Sequence, residues 1–499
     1  MKQLVWNKVG GEEKMKNGTM MQYFEWELKD DGKHWVRLKE DAQHLSDIGI
    51  TAVWIPPCFK GTESDDVGYG IYDLYDLGEF DQNGTVRTKY GTKEELLEAI
   101  DALHEHGIQV YADVVLNHKA AADGKEKFHA VKVAEDDRNN ELSEPYEIEG
   151  WTHFNFPGRN GKYSDFEWHW YHFNGVDYDA RTGEEGIFRI EGDHKQWAED
   201  EAVSTEFGNY DYLMFADVDF SHPEVREEVK RWASWFINET KIDGMRLDAV
   251  KHIHKDFINE FIDHVRGEFG DDFFIVAEYW DQEYGELNEY MQDQDYALTL
   301  MDVGFHYALS EASKAGADYD LTQLFDDTLY KKKAANAVTF VDNHDSQPGQ
   351  SLESFVEPWF KPQAYGIILL SKNGYPCVFY GDYYGIGGEN PIEGIPDVLD
   401  KLLHVRTTYA YGEQQNYLDH PNCIGFTRTG DENHPHGCAV VLSNSEEGHK
   451  KMTLGELNAG TTYIDCLHNR DEEITLDEEG TASFPVNAGS ISVWVPKEQ

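Results

Sequence analysis

Apolar positions along the first 410 residues follow two patterns that alternate with each other. Short apolar runs predict buried strands, and apolar residues three or four positions apart predict helices. The predicted strands are residues 20–24, 52–55, 108–116, 242–247, 273–277, 298–303, 337–341 and 377–380. Eight strand and helix cycles are typical of a (β/α)₈ TIM barrel. An open doubly wound sheet is the alternative, but no glycine-rich phosphate loop follows any of these strands.

The alternation breaks at two places. Residues 118–221 are rich in Trp, His, Gly and Asp, and the segment is too long for a loose loop, so we predict an inserted domain B. After about Tyr409, short alternating runs are separated by Gly, Asn and Asp, which predicts a C-terminal antiparallel β-sandwich, domain C. The predicted spans are 1–117 and 222–408 for the barrel, 118–221 for domain B and 409–499 for domain C.

Charge and composition narrow the expected partners. A formal net charge of −52 disfavours nucleic acid and anionic membranes, which need a basic face. The same acidity suits either ordinary solubility or life in high salt. No apolar run approaches the ~20 residues of a membrane span. Five cysteines without CxxC spacing suit a reducing compartment, and no signal peptide is visible at the start. We therefore expect a cytoplasmic monomer, or a secreted protein if a signal has been removed.

Acidic residues stand where several predicted strands end. In a (β/α)₈ barrel, chemistry takes place at the carboxyl ends of the strands. Asp248 ends the fourth strand and Glu278 ends the fifth, and neighbouring strands lie ~4.8 Å apart. Retaining glycosidases hold their two carboxyl groups roughly 5–5.5 Å apart. The sequence therefore predicts a retaining glycosidase with this carboxyl pair.

Each acid has an expected role. Asp248 is the predicted nucleophile, and the neighbouring Arg246 should keep it ionised. Glu278 lies on an apolar strand that should raise its pKa, which suits an acid that later acts as base. Asp345, after the seventh strand, should stay ionised and stabilise an oxocarbenium-like transition state. For Asp113, a structural role as partner of Arg246 and a direct catalytic role both remain open.

Four short motifs carry a family resemblance. DVVLNH (113–118), GMRLDAVKH (244–252), VAEYW (276–280) and FVDNHD (340–345) resemble, in order, the four sequence regions of the α-amylase family of glycoside hydrolases. The resemblance covers nearly the whole chain and is strongest to bacterial liquefying and cytoplasmic α-amylases. It implies endo-hydrolysis of α-1,4-glucosidic bonds in starch, glycogen and malto-oligosaccharides, and the same three catalytic residues.

The resemblance also implies which residues bind substrate. His118 and His344 would bind hydroxyl groups of the sugar at the cleavage position, and Tyr69 would stack on that sugar. Lys251 and Trp280 would line the leaving-group side. The segment 168–172 is either a further sugar platform or part of the core of domain B.

A structural calcium ion between the barrel and domain B is a third implication of the resemblance. The matching ligands are Asn117, Asp211, Asp217 and the backbone carbonyl of His252, all hard oxygen donors of the kind that Ca²⁺ prefers. A second metal cluster would use Asp200 and Asp219. We expect that cluster to be weakened, because Asn174 and Ser221 stand where the family usually has Asp. The alternative for the acids of 200–219 is a solvated acidic face.

Two other functions remain open at this point. A maltogenic or transglycosylating relative would use the same three acids. A non-catalytic glucan-binding protein would retain the fold, although intact Asp248, Glu278 and Asp345 argue against it.

Overall fold

Eight parallel strands form a closed barrel. The computed structural model describes residues 6–9, 12–15 and 17–497. The barrel strands are Met20–Gln22, Ala52–Ile55, Gln109–Val114, Gly244–Leu247, Phe274–Ala277, Thr299–Met301, Ala337–Phe340 and Tyr375–Phe379, and the eighth pairs with the first. The predicted fold class is confirmed, and every predicted strand overlaps an observed one, with ends that differ by at most two residues.

Helices cover the outside of the barrel. They are His34–Asp47, Lys93–Glu105, Pro223–Thr240, Lys255–Phe269, Tyr284–Asp293, Val303–Ala315, Leu329–Lys332, Lys361–Leu370, Tyr380–Tyr383 and Pro396–Thr408. Thr92 caps the second of these. Its side chain accepts the backbone N–H of Glu95, and the Glu95 carboxylate accepts the backbone N–H of Thr92.

Large side chains fill the interior of the barrel. Trp54 and Tyr111 are each 1 % exposed, and they pack in one cluster with Val276 and Phe340. The barrel is thus a packed core with no channel, as expected when strand side chains alternate inward and outward. Substrate can therefore reach the barrel only at its ends.

An antiparallel six-stranded sheet is formed between the third and fourth barrel strands. In sheet order its strands are His118–Lys119, Ala216–Val218, Phe173–Asp179, Glu184–Glu191, Gly124–Val133 and Tyr146–His153. Trp168 and His172, at 5 % and 2 % exposure, are buried, whereas Tyr171 is 38 % exposed, so the core interpretation holds for only part of segment 168–172. The sheet falls within the predicted domain B, whose boundaries stay a prediction.

The C-terminal part is a β-sandwich of two antiparallel sheets. The larger has, in sheet order, Gln414–Tyr417, Cys423–Arg428, Cys438–Ser443, Ile491–Pro496, Thr462–Asp465 and Ile474–Thr475; the smaller pairs Gly448–Thr453 with Thr481–Val486. Met452 and Phe484 of the smaller sheet pack in one cluster with Val441 and Trp494 of the larger.

Near the N-terminus, Trp6–Val9 pairs antiparallel with Glu12–Met15. The ends of the first and last predicted domains, residues 1–5 and 498–499, lie outside the described residues. Among the helices that the structure describes, none combines the length and the apolar character needed to cross a bilayer.

Candidate active site

One buried arginine joins three carboxylates at the carboxyl end of the barrel. The Arg246 Nη1 lies 2.6 Å from Asp248 Oδ1 and 2.8 Å from Asp113 Oδ1, and its Nη2 lies 3.0 Å from Glu278 Oε2. The side chain of Arg246 is 1 % exposed. Asp248 and Glu278 therefore contact the two ends of a single guanidinium group.

The backbone ladder sets this arrangement. Strands four and five pair in parallel with Leu247 opposite Ala277. The next residues continue the ladder, because the Glu278 N–H donates to the Leu247 carbonyl at 2.9 Å and the Asp248 N–H donates to the Val114 carbonyl at 3.0 Å. Regular strand pairing thus fixes the two carboxylates on neighbouring strands.

Ala249, in a strained backbone conformation, contacts Glu278 through its N–H group. Its φ of 51° lies in the left-handed region, which costs a non-glycine residue roughly 1 kcal/mol or more. In this conformation the Ala249 N–H donates to Glu278 Oε2 at 3.0 Å. The second carboxylate is thus held by the backbone as well as by Arg246.

Burial dominates the acid–base behaviour of the cluster. Burial raises the pKa of Asp248 to about 6, with Arg246 lowering it and Asp113 raising it. The expected effect of Arg246 is present, but it is smaller than the effect of burial. With a pKa of about 6, Asp248 is still mostly ionised at neutral pH.

The other two expected catalytic acids also have raised pKa values. Burial raises the pKa of Glu278, with the nearby charge of Asp248 adding to the effect, as its apolar strand predicts. Burial and the charge of Glu278 raise the pKa of Asp345 well above its usual value. This shift runs against the expectation that Asp345 stays ionised in the free protein.

Asp113 lies at the centre of a hydrogen-bond network. Besides Arg246, its carboxylate accepts hydrogen bonds from the Tyr69 hydroxyl at 2.9 Å and from the Trp54 Nε1 at 3.1 Å. Asp113 is fully buried, at 0 % exposure. These contacts favour the structural interpretation of Asp113 as the residue that positions Arg246.

Aromatic rings line the side of the site next to Asp345. Tyr69 stacks on His344 with ring centroids 5.1 Å apart and planes 7° apart, and on Trp26 with centroids 5.8 Å apart and planes 2° apart. Flat rings of this kind suit the apolar face of a sugar. The His344 Nε2 lies 3.2 Å from a carboxylate oxygen of Asp345.

Both expected sugar-binding histidines are buried and neutral. Burial lowers the pKa of His118 to about 4 and that of His344 well below its usual value. His118 Nε2 donates to the Tyr69 carbonyl at 2.7 Å, and His344 Nδ1 accepts from Gln22 at 3.0 Å. Among the described residues, His118 Nδ1 has no hydrogen-bond partner, and His344 Nε2 makes no hydrogen bond although the Asp345 carboxylate lies 3.2 Å away. These nitrogens are suited to contact a polar ligand.

Lys251 and Trp280 lie together near Glu278. The Lys251 Nζ donates to the Trp280 carbonyl at 3.0 Å and lies 2.6 Å from Glu206 Oε2. Trp280 Nε1 donates to the Tyr307 hydroxyl at 3.2 Å. The predicted leaving-group residues are thus adjacent to each other, and Glu206 joins them.

The expected calcium ligands lie where the inserted sheet meets the barrel. The Asn117 amide donates to Asp217 Oδ1 at 3.3 Å, and the Asn174 amide donates to Asp211 Oδ2 at 2.7 Å. Asp217 Oδ2 and Asn174 Oδ1 are buried and have no partner among the described residues. Buried unpartnered oxygens are costly, and a hard cation would satisfy them. The residues therefore fit Ca²⁺.

The second expected cluster already contains a protein cation. The Lys195 Nζ lies 2.5 Å from Asp219 Oδ2, and the two side chains are 4 % and 3 % exposed. Asp219 Oδ1 accepts the Ser221 hydroxyl at 2.5 Å. Asp200 is exposed and accepts a hydrogen bond from Asn209 at 3.0 Å. The donor set at Asp219 therefore does not fit a second metal ion.

Sequence reasoning missed three residues beside the site: Gln22, Trp26 and Glu206. Gln22 is the last residue of the first barrel strand, Trp26 follows that strand, and Glu206 belongs to the inserted segment. The first two are not acidic, so they are not part of the pattern of acids at strand ends. Their position at a strand end is the signal that could have identified them.

Comparisons with known proteins agree with this geometry. Residues 37–419 match the family described as Alpha amylase, catalytic domain. The chain is 50% identical over 486 residues to a glucan 1,4-alpha-maltohexaosidase of Bacillus sp. (strain 707), covering 96% of this chain and 93% of that protein. It is 46% identical over 494 residues to a cytoplasmic alpha-amylase of Escherichia coli (strain K12), covering 97% and 100%.

Further relatives share sequence or fold. An alpha-amylase of Bacillus licheniformis is 50% identical over 484 residues, which cover 96% of this chain and 94% of that protein. A crystal structure of an alpha-amylase from Geobacillus thermoleovorans superposes with a TM-score of 0.63 at 20% identity, covering 97% of this chain and 98% of that chain. The chain belongs to the α-amylase family.

Proposed function

We propose that the protein hydrolyses α-1,4-glucosidic bonds in starch, glycogen and malto-oligosaccharides, with retention of anomeric configuration. One observation supports this most: Asp248 and Glu278, on neighbouring strands, contact the two ends of one buried guanidinium group. The close spacing that this implies favours retention, because inverting enzymes need a wider gap that admits a water molecule.

The first step forms a covalent intermediate. The Asp248 carboxylate attacks the anomeric carbon while Glu278 gives its proton to the glycosidic oxygen, and the bond between that oxygen and the anomeric carbon breaks. In the second step Glu278 takes a proton from water, the hydroxide oxygen bonds to the anomeric carbon, and Asp248 leaves as a carboxylate. The raised pKa of Glu278 suits the proton that it must carry into the first step.

The remaining residues position the sugar. His118 binds its hydroxyl groups through Nδ1 and His344 through Nε2, and Tyr69 stacks on its face. Asp345 stabilises the positive charge of the transition state. The pKa of Asp345 is raised in the free protein. The positive charge that develops on the sugar in the transition state favours its carboxylate form. Lys251 and Trp280 contact the leaving portion of the chain.

Asn117, Asp211, Asp217 and the carbonyl of His252 would hold a calcium ion at this junction. The ion would supply positive charge to buried oxygens, and its ligands would tie the inserted segment to the loop after the fourth strand. It takes no part in breaking the glycosidic bond. We place the protein in the cytoplasm, which its five free cysteines support, and we propose that it is a monomer.

Product analysis tests the proposal. The first product released from soluble starch, followed by proton NMR, should carry the α-anomer. An endo-acting enzyme should also produce maltodextrins of intermediate length before maltose accumulates. A β-anomer would contradict retention, and maltose or cyclic products alone would favour the maltogenic or transglycosylating alternative. Glucan binding without turnover would show a non-catalytic protein.

A further inference from the structure

The opposite end of the barrel holds a cavity of ≈ 700 Å³ that the proposed reaction does not use. It is lined by the first residues of three barrel strands, Gln109, Phe274 and Tyr375, and by Gly412 and Arg428 of the C-terminal part. The catalytic acids follow the last residues of their strands. The cavity, which we name the floor pocket, is therefore separated from the active site by the barrel core.

Two buried arginines line the floor pocket without acidic partners. Arg406 and Arg428 are 5 % and 4 % exposed. Arg406 donates to the Thr19 hydroxyl and to the carbonyls of Leu369 and Gly18. Among the side chains that the structure describes, no carboxylate lies within ion-pair distance of either arginine. Buried charges are normally paired, so this pair is unusual in a protein with a net charge of −52.

Arg428 has an unused donor. Its Nη1 and Nη2 donate to the carbonyls of Leu370 and Gly412, each at 3.1 Å. Its buried Nε has no acceptor within the described part of the chain. Burial and the neighbouring Arg428 lower the pKa of Arg406 to about 9, which shows how poorly this positive charge is compensated.

Acidic residues near the floor pocket lie at its rim. Asp271, Asp272, Glu413 and Asp431 line the cavity, and all four are exposed. Glu413 is paired with Lys372 at 3.0 Å, and the two side chains are 82 % and 49 % exposed. The interior of the floor pocket therefore carries positive charge. The acids at its rim are either paired with a lysine or exposed to solvent.

Aromatic rings form one wall. The Phe274 and Tyr375 rings lie edge to face with centroids 5.6 Å apart, and Tyr111 stacks on Phe274 at 4.6 Å. The cavity has the volume that holds small organic ligands. Aromatic faces bind flat or ring-shaped molecules, and the planar guanidinium group suits phosphate and carboxylate oxygens.

We propose that the floor pocket binds a small organic anion. Its phosphate or carboxylate group lies against Arg406 and Arg428, and its ring-shaped body lies on Phe274 and Tyr375. Because the pocket joins the barrel to the C-terminal part, the bound anion stabilises the contact between them.

Calorimetric titration of the full-length protein with glucose 1-phosphate tests this proposal. Two exposed residues of the rim provide a matched pair of variants that leave the fold intact. Lys372→Glu should weaken binding by about threefold or more, because it makes the electrostatic potential at the rim more negative. Glu413→Gln makes that potential less negative and should strengthen binding by about threefold. A ligand in the active site would respond to neither change.

Arg428→Gln should weaken binding at least about tenfold, because a charge-assisted contact is lost. Arg428 also holds two backbone carbonyls, so the rim variants and not this change decide the question. Inorganic phosphate should bind more weakly than glucose 1-phosphate. Equal affinities for the two ligands would contradict the claim that the body of the ligand lies on Phe274 and Tyr375. No binding heat, or one dissociation constant shared by wild type and both rim variants, would overturn the whole.

Discussion

The protein contains two buried acid clusters that are neutralised in different ways. At the catalytic cluster, Asp113, Asp248 and Glu278 share the guanidinium of Arg246. At the junction of barrel and inserted sheet, Lys195 pairs with Asp219. There the Oδ2 of Asp217 has no partner among the described residues.

At the catalytic cluster the protein's own arginine contacts all three carboxylates. At the junction one buried carboxylate oxygen is left without a partner among the described residues. A single arginine with donors on both ends can contact several carboxylates in fixed geometry, whereas a lysine offers a point charge. Arg246 therefore leaves a site that is preorganised before substrate binds. The unpartnered oxygen of Asp217 leaves a site that a hard cation completes.

Among the substitutions in the two clusters, replacing Glu278 should have the largest effect on the rate of hydrolysis. Glu278→Gln keeps the shape of the side chain but removes the transferable proton, so kcat on soluble starch should fall about 10³-fold or more. The variant should still bind maltodextrins, and its melting temperature should stay close to that of the wild type. Turnover and affinity can be measured separately by reducing-end assay and calorimetry.

Glu206→Gln is the matched control, because Glu206 is a half-exposed acid close to the same site. We expect it to lower kcat much less, mainly through its contact with Lys251. Equal losses in the two variants would show that any change of charge near the cleft disturbs the reaction. The assignment of Glu278 as the acid would then be wrong.

Replacing Arg246 should destabilise the fold as well as the reaction. Arg246→Gln leaves three buried carboxylates without their cation, and breaking a buried ion pair costs roughly 3–5 kcal/mol. Denaturant unfolding should show this loss. Arg37→Gln, which breaks an exposed pair with Asp31 at 2.9 Å, should cost no more than ~1 kcal/mol. Similar losses in both variants would contradict the special role of the buried pair.

The sequence predicts the catalytic cluster better than the metal junction for a physical reason. Acids at strand ends follow from local alternation, so Asp248 and Glu278 could be placed from the barrel pattern alone. The balance between burial and Arg246 could not, because it depends on how much of the barrel covers Asp248. The pairing of Lys195 with Asp219, 24 positions apart, depends on the path of an irregular segment. No periodic pattern encodes it.

Removing metal should affect the cluster at the junction of the barrel and the inserted sheet and should leave the catalytic cluster unchanged. If Ca²⁺ completes the site at Asp217, EDTA should lower the melting temperature by several degrees, and added Ca²⁺ should restore it. An ion present at a hundredfold excess over its dissociation constant stabilises by ~2.7 kcal/mol. Differential scanning calorimetry with and without EDTA measures this shift.

Asp217→Asn supplies the control for metal removal. Without the carboxylate, the melting temperature should be lower at the start and should respond less to EDTA. A wild-type melting temperature that ignores EDTA would count against structural calcium. An equal response in Asp217→Asn would place the metal elsewhere.

Replacing Asp113 should give the smallest effect and the sharpest test of how the catalytic cluster is tuned. Asp248 must be ionised to attack, so kcat/KM should fall as the pH drops through its pKa of about 6. The charge of Asp113 raises that pKa, so Asp113→Asn should move the acid limb of the pH profile to lower pH. The rate at the optimum should stay within about tenfold, because the amide oxygen of Asn can still accept from Arg246 while its NH₂ group donates to the Tyr69 hydroxyl. A loss of about 10³-fold at every pH would instead make Asp113 a direct participant.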